Sequence, residues 1–201
     1  MTTNSTLKDH AIVSLENKWG SAALTVLLFS IITGISQIIP FFGPIISIFI
    51  SGPFALGLAI YFMNIARGSE SKFEQIFDGF KSFTTALGAY LLMAIFVFLW
   101  SLLLIIPGII AGLAYSMTYF VIVDNPSIGA FDALKKSKKL MDGYKMKLFL
   151  LLLSFIGWAL LCILTLGIGF LWLMPYIQVT LVKFYDEIKN TQEELNFDLN
   201  K

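Results

Sequence analysis

The chain has 201 residues, 57% of them hydrophobic and only 13% charged, with a net charge of +1 and a mean hydropathy of +0.81. A soluble domain carries about 25% charged residues, so the excess apolar surface calls for lipid as its solvent, and a charge so near neutral excludes nucleic acid as a partner. A single cysteine, Cys162, and a single histidine, His10, exclude an intramolecular disulfide and the commonest metal and acid/base constellations, so neither cofactor, metal nor catalytic residue is expected.

The first residues, MTTNSTLKDHAIVSLENKWG, are polar and of mixed charge, without the basic start and cleavage site of a secretory signal. The apolar block behind them is too long for a signal core and is expected to be retained. Within the opening segment Leu7, Ala11, Leu15 and Trp19 recur every four residues, which predicts an amphipathic helix lying on a membrane surface.

Charges then divide the chain. None occurs between Lys18 and Arg67, between Lys81 and Asp124, or between Lys147 and Lys183, leaving blocks of 48, 42 and 35 residues. A helix crosses the hydrocarbon core in roughly 20 residues, so each block suits two crossings and a turn. Breakers stand near each centre: Pro40-Phe41-Phe42-Gly43-Pro44, Ile106-Pro107-Gly108 and Gly167-Ile168-Gly169. The third block is tight, and its second crossing must begin near Phe170, with Lys183 snorkelling towards the headgroups.

The segments between the blocks are expected to be surface helices. Ser71 and Glu74 form a capping-box pattern ahead of Phe73, Ile76, Phe77 and Phe80. Asn125-Pro126 marks a second helix start. The apolar stripe predicted beyond it, Ala130, Phe131, Leu134 and Met141, faces lipid, opposite Lys135, Lys136, Lys138 and Lys139. Asp78-Gly79-Phe80-Lys81 and Asp142-Gly143-Tyr144-Lys145 are one string with an aromatic exchanged, and Glu16-Asn17-Lys18-Trp19 is a degenerate copy. In each the glycine position would end a surface helix and the lysine mark the edge of the next span. The repeat gives three units, about 5–66, 70–123 and 126–185, within one membrane domain of residues 1–187, followed by a polar tail, 188–201.

All fourteen lysines and arginines lie outside the three blocks. By the positive-inside rule the charged loops and both termini face the cytoplasm; a five-span alternative puts Lys183, Lys189 and Lys201 outside and is rejected. The expected fold is an all-α polytopic bundle of six transmembrane helices, arranged as three hairpins with interfacial amphipathic helices.

Candidate functional residues fall into three sets. Lys135, Lys136, Lys138, Lys139, Lys145 and Lys147 are the densest charge run; they set topology and suit an anionic lipid or an acidic partner. Ser51, Ala55 and Ala59, and the GxxxG-type series Gly108, Gly112 and Ser116, suit close helix packing, within this chain or with a second copy. Gln37, Tyr115, Tyr119, Tyr176 and Gln178 are polar groups at membrane depth, suited to interhelical hydrogen bonds or a solute path. Trp100, Trp158 and Trp172 read as packing or interface anchors. Asp124 and Asn125 read as a helix cap, and His10 as solvated. No Asp, Glu, Lys, Arg or His lies within a predicted span, which argues against proton-coupled transport.

Three stretches, SLLLIIPGIIAGLAYSMTYFVIVDNP, ALKKSKKLMDGYKMKLFLLLLSFIGWALL and GIGFLWLMPYIQVTLVKFYDEI, resemble in content and order the bacterial multi-pass family catalogued as domain of unknown function 975, over roughly residues 5–187. That resemblance implies a polytopic bacterial membrane protein, distantly similar to the membrane portion of glycerophosphodiester phosphodiesterases without their hydrolase part. It carries over no catalytic residues. The expected function is that of a non-enzymatic accessory protein of the bacterial cytoplasmic membrane, engaging anionic lipid, another membrane protein or a second copy of itself through its cytoplasmic face. The alternative is a transport or resistance component for a neutral or amphiphilic solute.

Overall fold

In a computed structural model that describes residues 2–38 and 43–199, the chain is all helical, with no strand among the described residues. Apolar residues over most of its length leave the backbone no partner but itself, and helices satisfy every internal donor locally. α1 (Asn4–Leu15) opens with Thr3, whose hydroxyl accepts from the Thr6 amide at 3.2 Å. It meets α2 (Trp19–Ile38) at 94°, and the corner is Asn17, at φ +62°. The turn expected at Pro40-Phe41-Phe42 lies outside the described residues, and α3 (Gly43–Ala66) begins just beyond it.

After Gly68, whose φ of +72° stops α3, a 3₁₀-helix (Phe73–Ser82) runs into α4 (Phe83–Leu103). Then follow α5 (Ile105–Tyr115), α6 (Thr118–Asp124), α7 (Ala130–Leu140), α8 (Lys145–Leu153), α9 (Ile156–Leu164) and α10 (Phe170–Leu199). Among the described residues, four stretches are long and apolar enough to cross a membrane: Gly43–Ala66, Phe73–Leu103, Ile105–Asp124 and Lys145–Leu164. The bent pair α1 and α2 makes a fifth if it counts as one span.

Several local expectations need correction. The Ser71–Glu74 box does not form: Lys72 precedes the 3₁₀-helix and no side chain caps it. The chain leaves helical geometry at Leu104 (φ −165°, ψ 152°), not at Pro107; Pro107 sits in the first turn of α5, where its missing N–H leaves no intrahelical bond unmade. Asn125-Pro126 opens a turn, with the Ile128 amide on the Asn125 carbonyl at 3.0 Å, and α7 starts only at Ala130. The third turn does fall at Gly167–Gly169, with Gly167 at φ +87°, and α10 begins at Phe170. No break separates a tail at residue 188: α10 continues to Leu199, Ile188 is fully buried, and Gln192 Nε2 donates to the Leu140 carbonyl at 3.1 Å.

The three glycine-string positions also differ. Gly143 (φ +78°) and Asn17 (φ +62°) both turn the chain between an amphipathic helix and the apolar helix that follows it. Gly79 instead lies inside the 3₁₀-helix, buried against α3. There a Cβ on Gly79 would sit 1.9 Å from the Pro53 carbonyl oxygen, and one on Gly57 would sit 1.8 Å from that of Ile76. With Gly52 pressed on Ala86, these residues form a seam in which backbones touch. Lipid supplies no hydrophobic drive between helices, so close van der Waals approach holds them.

Two of the amphipathic helices, α1 and α7, bury apolar residues in the protein rather than in lipid, whereas the 3₁₀-helix buries Ile76 and leaves Phe73, Phe77 and Phe80 exposed. Leu7, Ala11 and Leu15 of α1 are buried where it packs on α10 and α3, and Ala133, Leu134 and Leu140 of α7 are buried where it packs on α4, α5 and α6. The Ser137 hydroxyl donates to the Ala114 carbonyl at 2.9 Å, and Phe131 is left exposed. Outward-facing apolar surface concentrates at the α4–α5 and α9–α10 turns, where Ile105 is 76% and Leu166 94% exposed.

The seam sets a stability test. Gly79→Ala forces two backbones apart, an overpacking that costs about 1–3 kcal/mol, whereas a Cβ added to Gly112 would meet nothing within 4 Å. With labelling of the buried Cys162 thiol as the unfolding signal, Gly79→Ala is expected to lower the midpoint in detergent by several degrees and Gly112→Ala to leave it unchanged.

Candidate functional site

The described charged side chains gather where the loops and the second half of α10 meet. Arg67, one residue past α3, donates from Nη1 to Asp124 Oδ1 at 2.7 Å and from Nη2 to Asp186 Oδ1 at 2.6 Å. Asp124, the last residue of α6, also accepts from Lys189 Nζ at 2.7 Å and from the Tyr185 hydroxyl at 3.0 Å. Its side chain is only 10% exposed, and three donors repay the loss of water. Burial works against the Arg67 charge, but the hydrogen bonds and charges of the two carboxylates outweigh it and raise its pKa above the ordinary arginine value.

Around this node lie further ties. Lys183 Nζ donates to the Ala66 carbonyl at the C-terminus of α3, where a cation also meets the helix dipole. Lys18 donates to the Ser69 carbonyl at 3.2 Å. Glu187 accepts from the Thr2 hydroxyl at 2.9 Å and from Lys147 at 3.4 Å. Asn125 is a cap, as the sequence suggests, with its amide on the Val121 carbonyl at 2.9 Å; Asp124 is not, being the centre of the ion network. Arg67, Asp186, Lys189 and Tyr185 were not singled out from the sequence. The available signal was that Arg67 and Asp124 are the first charges beyond two apolar blocks and carry opposite signs.

The lysine run is split by the fold. Lys135, Lys138 and Lys139 from α7 and Lys145 from α8 converge with Asp142 on a cleft of about 260 Å³. Lys145 pairs with Asp142 at 3.2 Å. Lys136 turns to Asn125 Oδ1, 3.3 Å away, and Lys147 is engaged by Glu187. The cleft exists because Gly143 reverses the chain between two helices, bringing lysines at both sides of the turn to one place.

The small-residue and polar candidates separate likewise. A Cβ on Gly108 would meet Ser101 Oγ at 2.1 Å, so Gly108 packs within the α4–α5 hairpin. Gly112 and Ser116 instead line an apolar groove with Phe149, Leu152 and Ile156. Ser51 is half-buried, and Ala55 and Ala59 face a cavity of about 440 Å³ between α2, α3, α6 and α10, along with Ser116, Tyr119 and Gln178. Tyr115 opens onto a different groove, beside Trp100. Tyr176 packs edge-on against Phe155 and Trp19 and shares a third, apolar pocket with Trp158 and Trp172. The Gln37 side chain lies outside the described residues. His10 is exposed, Asp124 and Asp142 sit in separate ion pairs, and no group of three metal-ligating side chains occurs among the described residues.

These features define an all-α protein with several helices fit to cross a membrane and a band of paired charge at their loop ends. The chain belongs to the family described as "Protein of unknown function (DUF975)", whose model matches residues 1–111 and 102–192. No curated protein and no solved structure matches it.

The ion network yields a prediction. Asp124 takes three donors and is 10% exposed, whereas Asp186 takes Arg67 alone among the described residues and is 27% exposed. A charge-assisted hydrogen bond contributes about 1.5–3 kcal/mol, so Asp124→Asn is expected to destabilise the detergent-solubilised protein clearly more than Asp186→Asn. Thermal unfolding of the two variants side by side checks the order.

Proposed function

We propose that this chain is a non-enzymatic multi-pass protein of the bacterial cytoplasmic membrane that engages anionic lipid through a lysine-lined cleft on its cytoplasmic face. The observation that carries this reading is the convergence of Lys135, Lys138, Lys139 and Lys145 on one cleft. Among the described residues, Lys135, Lys138 and Lys139 make no ion pair there. Four lysines near a membrane surface attract anionic headgroups at about 1 kcal/mol each.

In this reading six spans form three hairpins, in units 5–66, 70–123 and 126–185. The 20 residues of α2 extend about 30 Å, one hydrocarbon thickness. The apolar first half of α10 forms the last span. Lys183 at its edge and the tie between Thr2 and Glu187 support a common side for both termini. Single cysteines at Ser69, Ser127 and Asn190, in a Cys162→Ser background, are expected to label from the cytoplasm only, and at Leu104 and Leu166 from outside only. Labelling of Asn190 from outside alone would restore five spans.

For the lipid itself, the full-length protein in mild detergent is mixed with equal amounts of phosphatidylglycerol and phosphatidylethanolamine, and the lipid retained is identified by native mass spectrometry. The protein is expected to retain the anionic lipid several-fold over the other, and replacement of the four cleft lysines by glutamine to remove most of that preference. No preference in the unaltered protein would overturn the reading.

A second reading, a transport or resistance component for a neutral or amphiphilic solute, is supported by the 440 Å³ cavity. It is lined by apolar side chains with Ser30, Ser116, Tyr119 and Gln178 and by no charged group. Arg67, Asp124 and Tyr185 each follow a cavity-lining residue, Phe62, Phe120 or Leu181, by four or five positions on its helix or at its end, and so stand about one helical turn beyond it. Permeation of an uncharged dye into proteoliposomes, abolished by Ala59→Phe, would favour this reading over the first; dye entry equal to that of empty liposomes would dismiss it.

A further inference from the structure

We infer that the lysine cleft is the headgroup end of a site for one anionic glycerophospholipid, whose acyl chain lies in the groove between α4 and α5. This deepens the lipid reading and rests on it. The 260 Å³ lysine cleft adjoins a second concavity of about 240 Å³, and Lys138 and Lys145 line both. Apart from those two lysines, the second concavity is lined by Trp100, Pro107, Ile110, Ala111, Ala114 and Tyr115. A charged pocket thus opens directly into an apolar slot, which is the shape of an amphiphile and not of a free ion.

The slot follows from the sequence. Ala111 and Ala114 are small enough to leave a channel along α5, and Ser137 pins α7 to the Ala114 carbonyl at 2.9 Å, which holds Lys138 over the channel's mouth. Pro107 and Tyr115 are eight positions apart, about 12 Å of helix, a length an extended acyl chain follows. Trp100, 46% exposed, lines the same slot.

The charge at the mouth selects the ligand. Four lysines stand against the one carboxylate of Asp142, leaving a positive excess for a phosphodiester, whose oxygens accept hydrogen bonds from the ammonium groups in several directions. Inorganic phosphate would use the cleft and leave the slot bare; a zwitterionic lipid would use the slot but bring its own cation to the lysines. An anionic phospholipid satisfies both halves.

The test uses the full chain with Trp19, Trp158 and Trp172 replaced by phenylalanine, so that Trp100 is the reporter. Phosphatidylglycerol or phosphatidylcholine with brominated acyl chains is added to the protein in detergent, and Trp100 quenching is followed alongside lipid retention by mass spectrometry. Anionic lipid is expected to quench at least fivefold more effectively than phosphatidylcholine, saturating near one lipid per chain, and Lys138→Gln with Lys145→Gln to raise the half-quenching concentration at least fivefold. Equal quenching by both lipids would overturn the site, making the groove ordinary lipid-facing surface. Preferential retention of anionic lipid with Trp100 unquenched would overturn the acyl-chain placement while leaving the lysine reading intact; loss of both signals would remove both. Inorganic phosphate relieving the quenching more than chloride at equal ionic strength would make the cleft a free-phosphate site and overturn the lipid assignment.

Discussion

One carboxylate organises the loop end of this molecule. Asp124 is almost fully covered, and a charge removed from water must be met by opposite charge and hydrogen bonds or not be ionised at all. It is met by Arg67 from the end of α3 and by Lys189 and Tyr185 from within α10, which obliges the ends of α3 and α6 to meet against the middle of α10. Lys183 on the last carbonyl of α3, and Glu187 between Thr2 and Lys147, extend the same logic outward. Apolar surroundings offer these groups no partner, so the charges satisfy one another at one end, and the uninterrupted apolar surface is left to the turns at Leu104 and Leu166.

Above that node the helices are held by contact rather than by charge. Where Gly57 and Gly79 let α3 and the 3₁₀-helix touch backbone to backbone, no side chain intervenes. The tighter 3₁₀ winding brings Ile76 and Gly79, three residues apart, onto one line facing α3. α7 is placed differently, by a buried apolar stripe and one serine hydroxyl, and the proposed lipid site rests on that placement. It carries three lysines to the start of α8 and lays one of them, Lys138, beside α5.

The lysine cleft and the interior cavity therefore arise from the same packing but ask for different ligands. The cleft is positively charged and continuous with an apolar slot, which favours a bound amphiphile. The cavity is uncharged and lies just beyond the ion network, which favours an uncharged solute. Membership of the family fixes neither, and the residues that separate the two, Lys138 and Lys145 against Ala59 and Gln178, do not overlap.

Much of the architecture was legible in the sequence, because membrane helices are written in long-range composition. Three charge-free blocks, the start of α10 at Phe170, the turn at Gly167 and the buried series Leu7, Ala11 and Leu15 all follow from periodicity and from where charge is absent. The sequence also marked the lysine run as the place to look. What it could not determine was contact. An apolar stripe on α7 reads the same whether it faces lipid or protein, since both are apolar, and only the packing on α4, α5 and α6 shows that protein covers it. A glycine likewise carries no sign of whether it permits a turn, as Gly143 does, or a close approach, as Gly79 does. The partners of Asp124 are up to 65 residues away, and the pairing of Arg67, Lys189 and Tyr185 with it is decided by the ends of α3 and α6 meeting along α10, a fact that belongs to the tertiary structure alone.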